Sequence, residues 1–248
     1  MNTLRSTIPA AALLIAGCAS PAAAPPPPAE ATQEAPAPVR PAGTAASPVA
    51  RTGGVTTEGV LKRMEEAGRA LVALRADFRQ ERTYALFGEK RVSSGTIRYK
   101  RPGMMRWEYR EPDRTAIFLK EGRALMYMPE IRQAQRISLA RDRKTESLLI
   151  GFGNTAEEIR RNFEAEASAG PDGMPVLDLV PKSDDLKSQF QRLRLVIDPA
   201  RGIPVRSERF ETGGDTTVFI FSNVTTDAPM DDAEFDFRIP PGTEVVEY

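Results

Sequence analysis

Ser94-Gly95-Thr96-Ile97-Arg98-Tyr99-Lys100-Arg101-Pro102-Gly103-Met104-Met105-Arg106-Trp107-Glu108-Tyr109 is the most informative stretch of this chain. From Ser94 to Lys100 apolar and polar residues alternate. The alternation breaks at Arg101-Pro102-Gly103, a turn-forming triplet, and resumes from Met104 to Tyr109. A period of two is the signature of a strand with two unlike faces, and Pro-Gly marks the reversal between strands. In the second run Met105, Trp107 and Tyr109 share one face, while Arg106 and Glu108 lie on the other.

The same pattern recurs downstream. Strands are expected at Thr115–Leu119, Ala124–Met128, Ala134–Leu139, Pro175–Val180, Phe190–Ile197, Ile203–Phe210 and Thr216–Asn223. Between them stand turn residues: Glu121-Gly122, Pro171-Asp172-Gly173, Asp198-Pro199-Ala200-Arg201-Gly202 and Gly213-Gly214-Asp215. Many short strands joined by short turns predict an antiparallel meander. Upstream, Val60, Leu61, Met64, Ala67, Leu71, Leu74 and Phe78 recur by threes and fours, which predicts an amphipathic helix over Thr57–Glu81 capped by Thr56 or Thr57. Leu148, Leu149, Ile150 and Phe152, then Ile159 and Phe163, predict a short helical pair over Thr145–Phe152 and Thr155–Phe163. The expected fold class is α+β: a large curved sheet with one long helix and a helical interruption. A hinge at Gly170–Pro175 would leave two sheets without cover, so 57–248 is read as one domain.

Composition removes much chemistry. The chain has 248 residues, with 34 Lys and Arg against 34 Asp and Glu, hence no net charge and no long-range field to steer it onto nucleic acid. It has no His, so no imidazole base or metal ligand. A single Cys excludes an intrachain disulfide and a cysteine-clustered zinc site. That Cys18 follows Leu14-Ile15-Ala16-Gly17, at the end of an apolar run from Ile8 too short to span a bilayer. The arrangement resembles a bacterial lipobox, implying a signal peptide over 1–17 and an acylated Cys18 as mature N-terminus. In enteric bacteria Ala19 after such a Cys directs the protein to the outer membrane. The alternative is an ordinary signal peptide cut near Ala22-Ala23-Ala24, which would discard Cys18. Residues 18–56 are Pro, Ala and small polar residues, with consecutive prolines at Pro25–Pro28, and read as a disordered tether. Fully extended at about 3.1 Å per residue it reaches on the order of 100 Å.

Catalytic motifs are hard to find. Gly151-Phe152-Gly153-Asn154-Thr155-Ala156 has the spacing of a dinucleotide fingerprint but lacks the parallel βαβ context that fingerprint needs. Asp184-Asp185 and Asp231-Asp232 fall in stretches that read as solvated loops. Neither an enzyme nor a cofactor is expected. The prominent feature is apolar surface for the concave side of the sheet: Met104, Met105, Trp107, Tyr109, Phe118, Leu125 and Tyr127 from the first strands, Leu148, Leu149, Ile150 and Phe152 from the interruption, and Leu193, Leu195 and Ile197 later. Met and aromatic side chains make a surface that adapts to ligands of varied shape. An ordinary closed core would use the same residues.

The strand–Lys100-Arg101-Pro102–strand run resembles the signature of the LolA family, periplasmic carriers of outer-membrane lipoproteins. In family order follow Phe78-Arg79-Gln80 upstream, Glu111-Pro112, Gly122 with Leu125 and Tyr127-Met128-Pro129, Leu179-Val180-Pro181-Lys182, and the closing Phe235-Asp236-Phe237-Arg238-Ile239-Pro240-Pro241-Gly242-Thr243-Glu244-Val245. The resemblance implies an unclosed antiparallel β-barrel with helices as a lid over an apolar cavity for acyl chains. Arg101 matches the arginine that holds the lid backbone and keeps the empty cavity shut, with Leu148–Phe152 as the expected lid segment; Met105 and Trp107 match cavity-facing positions. The lipobox departs from the soluble carriers and is similar to the outer-membrane acceptor LolB, whose protruding apolar loop has no equivalent located in this sequence. The implied role is a lipid-anchored, monomeric carrier or acceptor that binds the acyl chains of lipoproteins or a related lipid, served by an inner-membrane releasing transporter and anchored in the outer membrane facing the periplasm. A sensor or scaffold using the same fold is the alternative.

Overall fold

The computed structural model describes residues 54–138 and 155–247. The signal peptide, Cys18 and nearly all of the tether lie outside the described residues, as do Leu148, Leu149, Ile150 and Phe152.

The long helix expected over Thr57–Glu81 is two elements. Helix α1 runs Thr57–Ala70, with the Thr56 hydroxyl accepting from Gly59 N at 3.1 Å, and it buries Val60, Leu61 and Met64. Strand β1 then runs Ala73–Tyr84. Leu71, Leu74 and Phe78 suit a helical stripe, but Leu74, Ala76, Phe78 and Gln80 also alternate as one strand face, and all four are buried. The strand prevails because β1 pairs along its length with a neighbour on each side, which an isolated helical turn cannot match.

From β1 the chain meanders through β2 (Glu89–Lys100), β3 (Met104–Glu111), β4 (Thr115–Lys120), β5 (Arg123–Met128) and β6 (Gln133–Ser138). Helix α2 (Ala156–Asn162) opens with a reciprocal cap: Thr155 Oγ1 accepts from Glu158 N at 3.1 Å, and the Glu158 carboxylate accepts from Thr155 N at 2.9 Å. A second meander follows: β7 (Phe163–Ala169), β8 (Pro175–Pro181), the one-turn α3 (Asp184–Lys187), β9 (Phe190–Ile197), β10 (Pro204–Glu211) and β11 (Thr216–Thr226). The last strand, β12 (Glu244–Glu247), pairs parallel to β6.

The two meanders join where β11 pairs with β1, giving one twelve-stranded sheet in the order β12-β6-β5-β4-β3-β2-β1-β11-β10-β9-β8-β7. Its terminal strands do not pair with each other, so the sheet stays open, as the fold reading expects.

Register sorts the side chains onto two faces. One face carries the helices: Val60, Leu61 and Met64 of α1 and Ile159 of α2 form a single buried cluster with Leu177, Leu179, Leu193, Leu195 and Ile197. The other face of the first meander is crossed by the segment between β11 and β12. There Met230 and Phe235 bury against Ala73 and Met104, and Lys120 bonds Asp236 at 2.6 Å.

Candidate functional site

Trp107 is the reference point for tracing the site. Trp107 pairs with Ile97 and Ile117, Tyr109 with Gly95, and Met105 with Tyr99 and Leu119, so these residues share the helix-bearing face. Across β1, Phe78 lies opposite Gly95 on one side and Phe221 on the other, and Gln80 lies opposite Phe219. The result is an aromatic group spanning β1, β3 and β11. Ring centroids are 5.1 Å apart for Phe78–Trp107, 5.0 Å for Phe78–Tyr109 and 5.3 Å for Trp107–Phe219, and Phe219 stacks on Phe221 at 6.1 Å. Gly95 makes this possible: a Cβ there would sit 2.7 Å from the tip of Phe78 and 1.9 Å from the Glu108 carbonyl oxygen. Without a side chain on β2 at that position, the Phe78 ring lies across the strand and meets β3.

Sequence inspection finds Met105, Trp107 and Tyr109 but misses their partners. Phe78 is hidden in a helical periodicity. Phe219 and Phe221 carry the signal of period-two spacing within β11, which becomes informative once β11 is known to lie beside β1.

Four residues expected on the same surface lie on the other face. Phe118 pairs with Arg106 and with Leu125, and Tyr127 with Ala116, which sets Phe118, Leu125 and Tyr127 opposite in parity to Trp107. Phe237 covers two of them, stacking on Phe118 at 4.6 Å and meeting Tyr127 at 5.0 Å. Met104 likewise belongs to the opposite face. Leu193 and Leu195 do lie on the helix-bearing face, but in the buried apolar cluster that packs against α1.

A polar group adjoins the aromatic one. In the row Arg82–Thr217–Arg209 across β1, β11 and β10, Arg209 bonds Glu211 at 2.9 Å, and the Thr217 hydroxyl donates to the same carboxylate at 3.1 Å. Arg82 reaches Glu211 at 3.4 Å and Asp215 at 3.3 Å. The Nε atoms of Arg82 and Arg209, the indole nitrogen of Trp107 and the Tyr109 hydroxyl are all buried without a hydrogen-bond partner. An unsatisfied buried donor costs about 1–3 kcal/mol. Burial pushes the Tyr109 hydroxyl well above its ordinary value; the Arg209 charge and the nearby Trp107 indole oppose this to a smaller extent. The indole comes near the phenol without hydrogen-bond geometry. Tyr109 therefore keeps its proton through the neutral range.

Arg101 is exposed at the turn between β2 and β3. Its guanidinium donates to the Gly68 carbonyl and, at 3.3 Å, to that of Arg69, and its own amide donates to Val72 O at 2.9 Å. The last carbonyls of a helix have no partner within it and carry partial negative charge, so a cation there caps α1. Among the described residues, the backbone that Arg101 holds is thus the end of α1; the expected Leu148–Phe152 segment is outside them.

Other expectations resolve more simply. Asp184-Asp185 opens α3 and does not form a loop, with Ser183 as its N-cap. Asp231 caps a 3-10 turn over Asp232–Phe235, and a hydrogen bond from Lys100 holds the Asp232 carboxyl below its ordinary value. Among the described residues no group of three or more acidic or Cys side chains is placed to hold a metal. The first part of the Gly151–Ala156 fingerprint is outside the described residues, and Thr155 serves as the α2 cap. The β1–β2 hairpin exposes Leu86 (83%) and Phe87 (72%), an apolar tip that sequence inspection does not find.

The family model for the outer membrane lipoprotein carrier protein LolA matches residues 69–238. An outer-membrane lipoprotein carrier protein of Dechloromonas aromatica is 28% identical over 174 residues, covering 70% of this chain and 80% of the relative. One of Azotobacter vinelandii is 30% identical over 156 residues, covering 62% and 72%. Among solved structures, a LolA superfamily protein of Nitrosomonas europaea aligns with TM-score 0.41 and 14% identity, over 74% of this chain and 98% of its own. With the greater part of its length matched by the family model, the chain belongs to the LolA family of outer membrane lipoprotein carrier proteins.

Proposed function

We propose that this protein is a lipid-anchored carrier or acceptor of the bacterial envelope. Residues 1–17 direct export, acylated Cys18 holds the chain on the outer membrane, and 18–56 tether a domain over 57–248. That domain binds acyl chains of lipoproteins, or of a related lipid, non-covalently. The supporting observation is the aromatic group of Phe78, Trp107, Tyr109 and Phe219 on the helix-bearing face of an open sheet. Met105 extends it, and Arg101 fastens the end of α1 beside it. In this reading Leu148, Leu149, Ile150 and Phe152 complete the cover.

Uptake requires only that an acyl chain keep less apolar contact with water here than on its donor; release follows when the acceptor shields it better still. At about 0.8 kcal/mol per buried methylene, a few more or fewer contacts along the chain set the direction. No bond is made or broken, and no cofactor enters. The donor is an inner-membrane releasing transporter, the destination is the outer membrane, and the carrier acts as a monomer.

Trp107 is the sole tryptophan, so its emission reports on the site. Adding a long-chain acyl ligand to the purified full-length chain should shift that emission saturably. In cells, depletion should leave lipoproteins in the inner membrane, and Cys18→Ser should move the protein to the soluble periplasmic fraction. An unchanged spectrum together with normal lipoprotein sorting overturns the reading.

A further inference from the structure

Acyl binding accounts for the rings of the aromatic group but not for the polar atoms embedded in it. Phe at 107 and 109 would supply the apolar surface without a buried, unpaired N–H and O–H. Instead β3 places an indole nitrogen and a hydroxyl two residues apart on the same face, both buried and both without a protein partner. Trp107 is 4% exposed, so its nitrogen does not reach bulk water. Two donors held in an apolar surround want an acceptor.

The surrounding charges narrow its identity. Arg209 acts electrostatically on Tyr109, and a second guanidinium, Arg82, lies in the same row across the sheet. Both are matched by carboxylates: Glu211 pairs with Arg82 and Arg209, and Asp215 with Arg82. Two cations against two anions leave the cluster neutral. A free carboxylate or phosphate would gain no net charge attraction to offset its desolvation, whereas an uncharged carbonyl oxygen has much less hydration to lose. The row also marks where the apolar surface ends, beyond Phe219, whose neighbour along the strand on this face is Thr217.

Resting on the acyl-binding reading above, we propose that Trp107 and Tyr109 form a subsite for the carbonyl oxygen of an acyl ester or amide, with the Arg82–Arg209–Glu211 cluster as its polar wall. The hydrocarbon lies along Phe78, Phe219 and Met105, and the carbonyl where a tail joins its headgroup receives the indole and phenol hydrogens. The subsite selects acylated molecules over plain hydrocarbon and sets how deep the tail enters.

The test is displacement of a fluorescent acyl probe from the full-length protein by three ligands of equal chain length: a fatty-acid methyl ester, an N-methyl fatty amide and an alkane. The ester or the amide should compete about 5–10-fold better than the alkane, the range one net hydrogen bond supplies, and the better of the two identifies O-acyl or N-acyl groups as the source. Tyr109→Phe and Trp107→Phe should each cut that preference to about twofold or less. As a readout independent of the variants, the carbonyl stretch of a carbon-13-labelled ester should move to lower frequency on binding the wild-type protein, relative to its position in alkane solvent. Equal competition by ester, amide and alkane, or an unshifted carbonyl, overturns the subsite while leaving acyl binding intact. Failure of every ligand to displace the probe overturns both.

Discussion

The helix-bearing face of the sheet is built in two ways. Over β7–β9 it is purely apolar and mostly aliphatic: Leu177, Leu179, Leu193, Leu195 and Ile197, with the stacked pair Phe163 and Phe190, interlock with Val60, Leu61 and Met64 of α1, and no buried side-chain nitrogen or oxygen of those strands is left without a partner. Over β1, β3 and β11 it is aromatic, with Trp107 and Tyr109 keeping unpaired polar atoms and guanidinium groups bordering the rings. The first region is a core in the ordinary sense, close-packed and polar-free. The second carries unsatisfied donors that a purely structural core would discard. On the proposed acyl-binding reading, stability and binding fall to different strands of one sheet, and mutations should separate them.

The largest effect is expected at Leu195, which is fully buried in the aliphatic region. Leu195→Ala should cost about 2–5 kcal/mol in chemical denaturation, while acyl-probe affinity per folded molecule stays at the wild-type value; a parallel fall in affinity would erase the division. Phe237→Ala tests the division between faces. It uncovers Phe118 and Tyr127 on the far side of the sheet and should cost about 1–3 kcal/mol without altering probe binding. Were binding to weaken with stability preserved, those two rings would belong to the site after all. The smallest effect is expected for Arg101→Leu, which removes a cation from the end of α1. Because that guanidinium is largely in water, the equilibrium cost should be about 1 kcal/mol or less, but probe association and dissociation in stopped flow should both quicken. Unaltered exchange rates would reduce Arg101 to a helix cap.

The strands were legible because their chemistry is local. Alternation from Ser94 to Tyr109 gives β2, β3 and the turn between them, and the later runs mark β4, β5, β6, β8, β9, β10 and β11 to within a few residues. β7 carries no such mark, because Glu164, Ala165, Glu166 and Ala167 alternate with too small an apolar residue to stand out. β1 reads as helix because a short run containing Leu71, Leu74, Ala76 and Phe78 fits both periods at once.

Period-two spacing divides each strand into two faces, and with the lack of His and the lone Cys it settles which kinds of chemistry the chain can support. It does not say which face of one strand continues which face of the next. Trp107 and Phe118 are each apolar members of well-read strands, yet they end on opposite sides of the sheet, because the hydrogen-bond register across the β3–β4 turn pairs Trp107 with Ile117. The same holds for Phe78 and Phe219: they meet Trp107 through a β1–β11 pairing between residues more than a hundred positions apart and through the space left by Gly95. Local spacing is a property of neighbouring residues, whereas register and long-range pairing come from folding the whole sheet, and it is at that level that the aromatic site is assembled.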